Sequence, residues 1–176
     1  MVDEGKLNAA AAVTSSSNVS STLKTFIKNL SSTDFDAKIL AAYSKDAELH
    51  AKLTTLSNKL KNGGVLTDVE IATAFSGYEV HHIFSVNTVW NNAKFKNLLD
   101  ANPTFLNSPD NLIFLKNPNI HQGSHPAYDA KIMEIMNGGN MDNIVQFGNK
   151  LSAIKNKMTT NLIGSNTKIN NFDPTP

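Results

Sequence analysis

Tyr78-Glu79-Val80-His81-His82-Ile83-Phe84 is the stretch on which the fold turns. β-Favouring residues surround its histidine doublet, and Ser76-Gly77 breaks the chain just before it, so it reads as a strand. Leu112 to Leu115 follows the turn Ser108-Pro109-Asp110 and reads as a second short strand. The loop Asn117-Pro118-Asn119 then leads to His121-Gln122-Gly123-Ser124-His125-Pro126. Proline lacks an N–H and belongs in a helix only in its first turn. Ser124 is therefore the expected cap of a helix running to about Asn137, stopped by Gly138-Gly139.

Outward from this unit the pattern turns helical. Leu23, Phe26, Ile27 and Leu30 predict a short amphipathic helix. Ser31-Ser32-Thr33-Asp34 offers a cap with an acidic first turn. From there Phe35 to Leu60 predicts one long helix, ended by Gly63-Gly64. Thr67 to Phe75 and Thr88 to Asp100 are two more helices. Met141-Asp142 opens a last one through Ile144, Phe147, Leu151, Ile154, Met158 and Leu162. The expected fold class is α+β and mostly helical, with a small strand–strand–helix core flanked by helices. The expected organisation is a flexible lead-in (1–22), an N-terminal helical region (23–75), a domain carrying the histidines (76–164) and a flexible tail (165–176).

Four of the five histidines fall in the central unit. Histidine is the commonest metal ligand and the side chain that titrates unperturbed near neutrality. Neighbours on a strand point to opposite faces, so His81 and His82 divide naturally into one ligand and one base facing substrate. His121 and His125, four apart, bring their rings together on a helix or on a loop entering one. Three neutral imidazoles with an open position describe a catalytic divalent site rather than a closed structural one. Such a site stabilises charge on a phosphoryl oxygen, while an unliganded histidine deprotonates water. Asn111, in the turn between the pairs, suits a positioning role. His50, alone on its helix, is given none.

Composition narrows the classes. The chain has 176 residues, no cysteine and a formal net charge of +1. Disulfide scaffolds and thiolate metal sites are excluded. All sixteen basic residues are lysine, so no bidentate guanidinium fork is available to hold phosphate. Lys116 is the basic residue nearest the cluster in sequence, with Lys94, Lys96 and Lys131 as further candidates. No run of about 18 apolar residues is present, so a membrane-spanning helix is not expected. The acidic opening Met1-Val2-Asp3-Glu4-Gly5 does not read as a secretory signal.

Val80-His81-His82-Ile83, Asn111-Leu112-Ile113-Phe114-Leu115 and His121 to Tyr128 together resemble the HNH (ββα-metal) endonucleases. They resemble specifically the AHH branch found at the C-termini of bacterial polymorphic toxins, and the pattern is also similar to the colicin-type DNases. The resemblance spans Tyr78 to Ile132, about a third of the chain. It implies that His81 ligates a metal, that His82 is the general base, and that Asn111 orients the base and braces its loop. His121 and His125 would complete the site. Glu79 would support it from behind the ligands, and Tyr128 would touch phosphate or pack on the helix. Val80 stands where the branch carries alanine.

The expectation is therefore an endonuclease using one divalent ion (Zn, Ni, Mg or Mn), with DNA ahead of RNA as substrate and Lys116 and Tyr128 as substrate contacts. The resemblance further implies an antibacterial toxin effector delivered by a bacterial secretion system into a target-cell cytoplasm, and a cognate immunity protein. Two rivals are a helical adaptor module with a structural histidine-bound metal, and a metal hydrolase of another phosphate or an amide.

Overall fold

A computed structural model of the chain describes residues 19–121, 124–139 and 141–176. Strand β1 (Tyr78–His82) pairs antiparallel with β2 (Leu112–Lys116), with Tyr78 opposite Lys116, His81 opposite Ile113 and His82 opposite Leu112. A two-stranded sheet has two edges, and isolated pairs are marginal in water. Here the edge of β2 is partly closed by a side chain: the Tyr43 hydroxyl accepts the Phe114 backbone N–H at 2.9 Å. Phe114 also stacks on Phe75, with ring centroids 3.9 Å apart.

Helix α1 (Ser21–Lys28) is capped by Ser20 and buries Leu23 and Ile27. Helix α2 (Ser32–Phe35), capped by Ser31, runs into a π-helical turn (Asp36–Leu40) and a 3-10 turn (Ala41–Tyr43). The long helix expected over residues 35–60 is thus interrupted, and α3 (Ala47–Lys61) starts afresh. The reason lies in Asp46. Its carboxylate accepts the Leu49 N–H at 3.0 Å as a cap, and both its oxygens take the Tyr78 hydroxyl at 2.9 Å. An aspartate that caps a new helix cannot continue the old one. Gly164 presses on the same break: a Cβ there would lie 1.9 Å from the Lys45 carbonyl oxygen, at a φ of +75° that only glycine adopts freely.

Helix α4 (Asp68–Ala74) opens with a full capping box between Thr67 and Glu70. The helix expected over residues 88–100 is shorter. A π-helical turn (Val86–Trp90) and α5 (Lys96–Asp100) are separated by a turn in which the Asn92 side chain accepts the Lys94 N–H at 3.0 Å. Asparagine offers the backbone this local alternative to helix. Helix α6 (Pro126–Asn137) begins with proline in its first turn, and His125, not Ser124, holds the cap position. Helix α7 (Ile144–Asn161) is capped by Asn143 with Gln146 bonding back.

The buried set runs without interruption from Val19 through α1–α4, the strands, α6 and α7 to Phe172. The N-terminal helices therefore share one core with the histidine-bearing unit. Val19 is buried although the lead-in was expected to extend to residue 22; residues 1–18 lie outside the described residues. The expectation of a loose tail after residue 164 is corrected. Ile169 and Phe172 are buried, the Ile169 N–H donates to the Ile120 carbonyl at 2.9 Å, and the Asn170 side chain accepts the Ala127 N–H at 2.9 Å. Among the described residues no helix is long and apolar enough to cross a membrane.

Candidate active site

Strand alternation sets the site. Glu79 and His81 lie two apart on β1 and share the face toward α6, whereas His82 projects from the other face at the strand's end. The segment between β2 and α6 returns to the first face. The Ile120 and His121 N–H groups both donate to the Lys116 carbonyl, at 2.8 and 3.2 Å, which places His121 beside Glu79.

Three imidazoles meet there. Ligand nitrogens of His81, His121 and His125 all lie within 4.8 Å of one another. Nε2 of His121 and Nε2 of His125 approach to 2.8 Å. His81 is 5% exposed, and its Nε2 is the one buried side-chain nitrogen or oxygen among the described residues that lacks a hydrogen-bond partner. An orphaned polar atom in a well-packed protein calls for an explanation. A cation shared with two neighbouring imidazoles supplies one.

The electrostatics favour the same reading. Burial pushes His81 well below the ordinary histidine range, and the neighbouring His121, His125 and His82 push it further. His125 is lowered by its own burial and by His121, partly offset by Asp129. Neutral imidazole is the form that binds metal. Nδ1 of His121 lies 2.5 Å from Oε2 of Glu79. A carboxylate only accepts, so Nδ1 carries the proton and Nε2 keeps its lone pair for a ligand. The other Glu79 oxygen takes the Asn117 side-chain amide. Metal-binding histidines are typically steadied in this way through their second nitrogen. By chemistry and geometry the donor set fits a divalent cation.

Asn111 is fully buried and every polar atom of its amide is used. Its Oδ1 accepts the Phe84 N–H at 2.8 Å, and its Nδ2 donates to the Phe84 and Leu106 carbonyls at 3.1 and 2.8 Å. Its own carbonyl accepts the Ile83 N–H at 2.9 Å. Asn111 thus clamps the exit of β1 to the 106–111 turn. None of these hydrogen bonds goes to the His82 ring. That ring meets Asn107, whose Oδ1 is 3.0 Å from His82 Nε2.

The two expected substrate contacts, Tyr128 and Lys116, both have partners within the fold. Tyr128 is fully buried: its hydroxyl donates to the Ile83 carbonyl at 3.2 Å and lies 3.6 Å from the Met158 sulfur. Its ring packs edge-on against His81, with centroids 5.1 Å apart. It shapes the wall behind the ligands. Lys116 sits at the opposite end of β2 from the residue that pairs with His82, and its ammonium is paired with Glu48 at 2.5 Å. Lys96 and Lys131 are likewise paired within their own helices, with Asp100 and Glu134, and the Lys94 ammonium lies over the Phe95 ring.

Sequence reasoning missed Asn107, Asn117 and Lys155. The Lys155 ammonium, from α7, donates to the Pro109 carbonyl at 2.7 Å and pins the turn that carries Asn111. Burial lowers it from the ordinary lysine range, partly offset by Asp110.

Residues 65–168, more than half of the chain, match the model of the AHH family, described as a nuclease family of the HNH/ENDO VII superfamily with conserved AHH. The chain belongs to the AHH nuclease family. It is an HNH-type endonuclease, an enzyme that hydrolyses phosphodiester bonds. The match takes in α4, both strands, α6 and α7, and so the whole histidine cluster. Membership removes the adaptor-module alternative. No curated protein and no solved structure matches the AHH nuclease.

Proposed function

We propose that the AHH nuclease is a metal-dependent DNA endonuclease without sequence specificity, with His82 as its general base. The observation that carries this reading is the buried imidazole of His81, its Nε2 unpartnered, grouped with His121 and His125 so that one ligand nitrogen of each lies within 4.8 Å of the others. These three side chains would hold one divalent ion, and Glu79 would keep His121 oriented toward it. Once bound, the ion supplies charge stabilisation for the phosphoryl oxygens and the leaving alkoxide. His82, on the other face of the same strand, accepts a proton from the attacking water. Asn111 holds the strand exit and the facing turn in register. Tyr128 and the apolar wall behind His81 keep water from the back of the ligands.

A non-specific nuclease needs phosphate contacts rather than base readout. With a net charge of +1, the protein gains little from counterion release, so the ion itself carries much of the phosphate holding. The resemblance to toxin-borne AHH domains supports the wider role: an antibacterial effector delivered by a secretion system, active in a target-cell cytoplasm and held in check by an immunity protein.

Plasmid nicking tests the core of this. Cleavage should require added Mg²⁺, Mn²⁺, Ni²⁺ or Zn²⁺ and stop with EDTA. His82→Ala should lose cleavage while retaining bound metal, and an active His82→Ala would sink the base assignment. Expression of wild type and His82→Ala in a bacterial cytoplasm, with genomic DNA integrity as the readout, tests the toxin role. Intact DNA and normal growth with the wild type would reject it.

A further inference from the structure

The contact between His82 and Asn107 decides which ring nitrogen can take a proton. Oδ1 of Asn107 is 3.0 Å from Nε2 of His82. A carbonyl oxygen accepts and never donates, so in this pairing Nε2 carries the proton and the neutral ring leaves its lone pair on Nδ1. Tautomer choice in a base histidine is set by the hydrogen bond its other nitrogen makes.

The exposed Asn107 is held on both sides. The carbonyl of Leu106 takes the Asn111 side-chain amide at 2.8 Å, and the carbonyl of Ser108 accepts the Asn111 N–H at 3.0 Å. Lys155 pins the next residue, Pro109, at its carbonyl. The same Asn111 also fixes Phe84, two residues beyond His82. The strand end that carries His82 and the turn that carries Asn107 are therefore locked to each other through one buried amide. An exposed hydrogen bond contributes little to stability by itself. The pairing of a rigid turn with an exposed amide aimed at a base is better explained by what it does to the ring.

We propose that Asn107 is a positioning residue that fixes His82 as its Nε2–H tautomer, so that Nδ1 is the atom that accepts the proton of the attacking water. The proposal rests on the reading of His82 as general base. Asn111 then acts on the base at one remove, through the turn, and Asn107 acts on it directly.

The test uses the full chain and three variants. Long-range ¹H–¹⁵N spectra of the imidazoles report the tautomer without any need for turnover. Wild-type His82 should read as Nε2–H, and Asn107→Ala should move it toward a mixture. In plasmid cleavage at saturating metal, Asn107→Ala should lose on the order of tenfold to a hundredfold in kcat, as expected for a misaligned base. Its KM, bound metal and thermal midpoint should not change. Asn107→Asp, which keeps an accepting oxygen, should retain the Nε2–H tautomer and cleave within a few-fold of wild type. A wild-type Nδ1–H tautomer, an Asn107→Ala enzyme at full rate, or an Asp variant as slow as the Ala variant would overturn the proposal. Loss of metal or of folded protein in Asn107→Ala would overturn it too, by showing a structural role. His82→Ala separates the two levels: if it stays active, the base reading itself fails. If it is dead while Asn107→Ala is unimpaired, only the positioning role fails.

Discussion

Oε2 of Glu79 and Nδ1 of His121 lie 2.5 Å apart, a carboxylate–imidazole contact that commits the other ring nitrogen of His121 to the centre of the histidine cluster. Removing the carboxylate frees the ring to rotate and to change tautomer. Outer partners of this kind are worth roughly ten- to a hundredfold in metal affinity. Glu79→Ala should weaken metal binding by about that factor, read by isothermal titration with Mn²⁺ or Zn²⁺. Unchanged affinity would show that the carboxylate does not steady the ligand.

Asn111 joins β1 to the 106–111 turn through three side-chain hydrogen bonds, two of them buried and one part-buried. Asn111→Ala leaves the Phe84 N–H and the Phe84 and Leu106 carbonyls without this partner. At ~1–3 kcal/mol for each unsatisfied buried group, partly relieved by water, a loss of about 3 kcal/mol is expected in urea unfolding. Cleavage should fall as well, because the turn carrying Asn107 is no longer held. A variant as stable as wild type would show that the clamp does not hold the fold.

The parts of this geometry that were legible in sequence are those written in neighbouring residues. The strand around His81, the proline that starts α6 and the four-residue spacing of His121 and His125 all lie within short windows. The interruption before α3 was not legible, because Asp46 is recruited as a cap while it accepts the hydroxyl of Tyr78, 32 residues later. Asn107 was hidden for a similar reason. It is one asparagine among many, and its partner lies 25 residues away. Tyr128 follows His125 by three residues in sequence, but its position on the buried side of α6 sends it into the core.

Burial and neighbouring imidazoles hold His81 and His125 below the ordinary histidine range. The unfolded chain therefore binds more protons than the folded one as pH falls through about 6.5. The stability these two groups contribute is fully present above that pH and is lost progressively below it. Urea unfolding in EDTA should show stability falling from pH 7.5 to pH 5. In His81→Leu the fall should be shallower over the same window. A slope identical to wild type would remove His81 from the account.

The tail brackets the ligand segment. Ile169 bonds the carbonyl of Ile120, next to His121, and Asn170 bonds the N–H of Ala127, two residues past His125. Truncation after Lys168 removes both ties along with the buried side chains of Ile169 and Phe172. Burial of large apolar side chains is worth ~1.5–3 kcal/mol each, so the midpoint of thermal unfolding should drop. Metal affinity should fall with it as the backbone beside His121 and His125 loses these ties. Full affinity in a truncated but folded chain would show that His121 and His125 do not depend on the tail.

Tyr128 offers the sharpest separation of wall from contact. Its hydroxyl is buried against the Ile83 carbonyl and the Met158 sulfur, and burial raises it well above the ordinary tyrosine range, with Asp129 adding to the effect. Tyr128→Phe keeps the ring against His81 and deletes one neutral hydrogen bond of 3.2 Å. A cost of about 1 kcal/mol is expected, visible as a small shift in the urea midpoint. KM for DNA should not move, because no atom of the side chain is open to substrate. A several-fold rise in KM at unchanged metal content would instead place the hydroxyl at the phosphate and require α6 to rearrange when DNA binds.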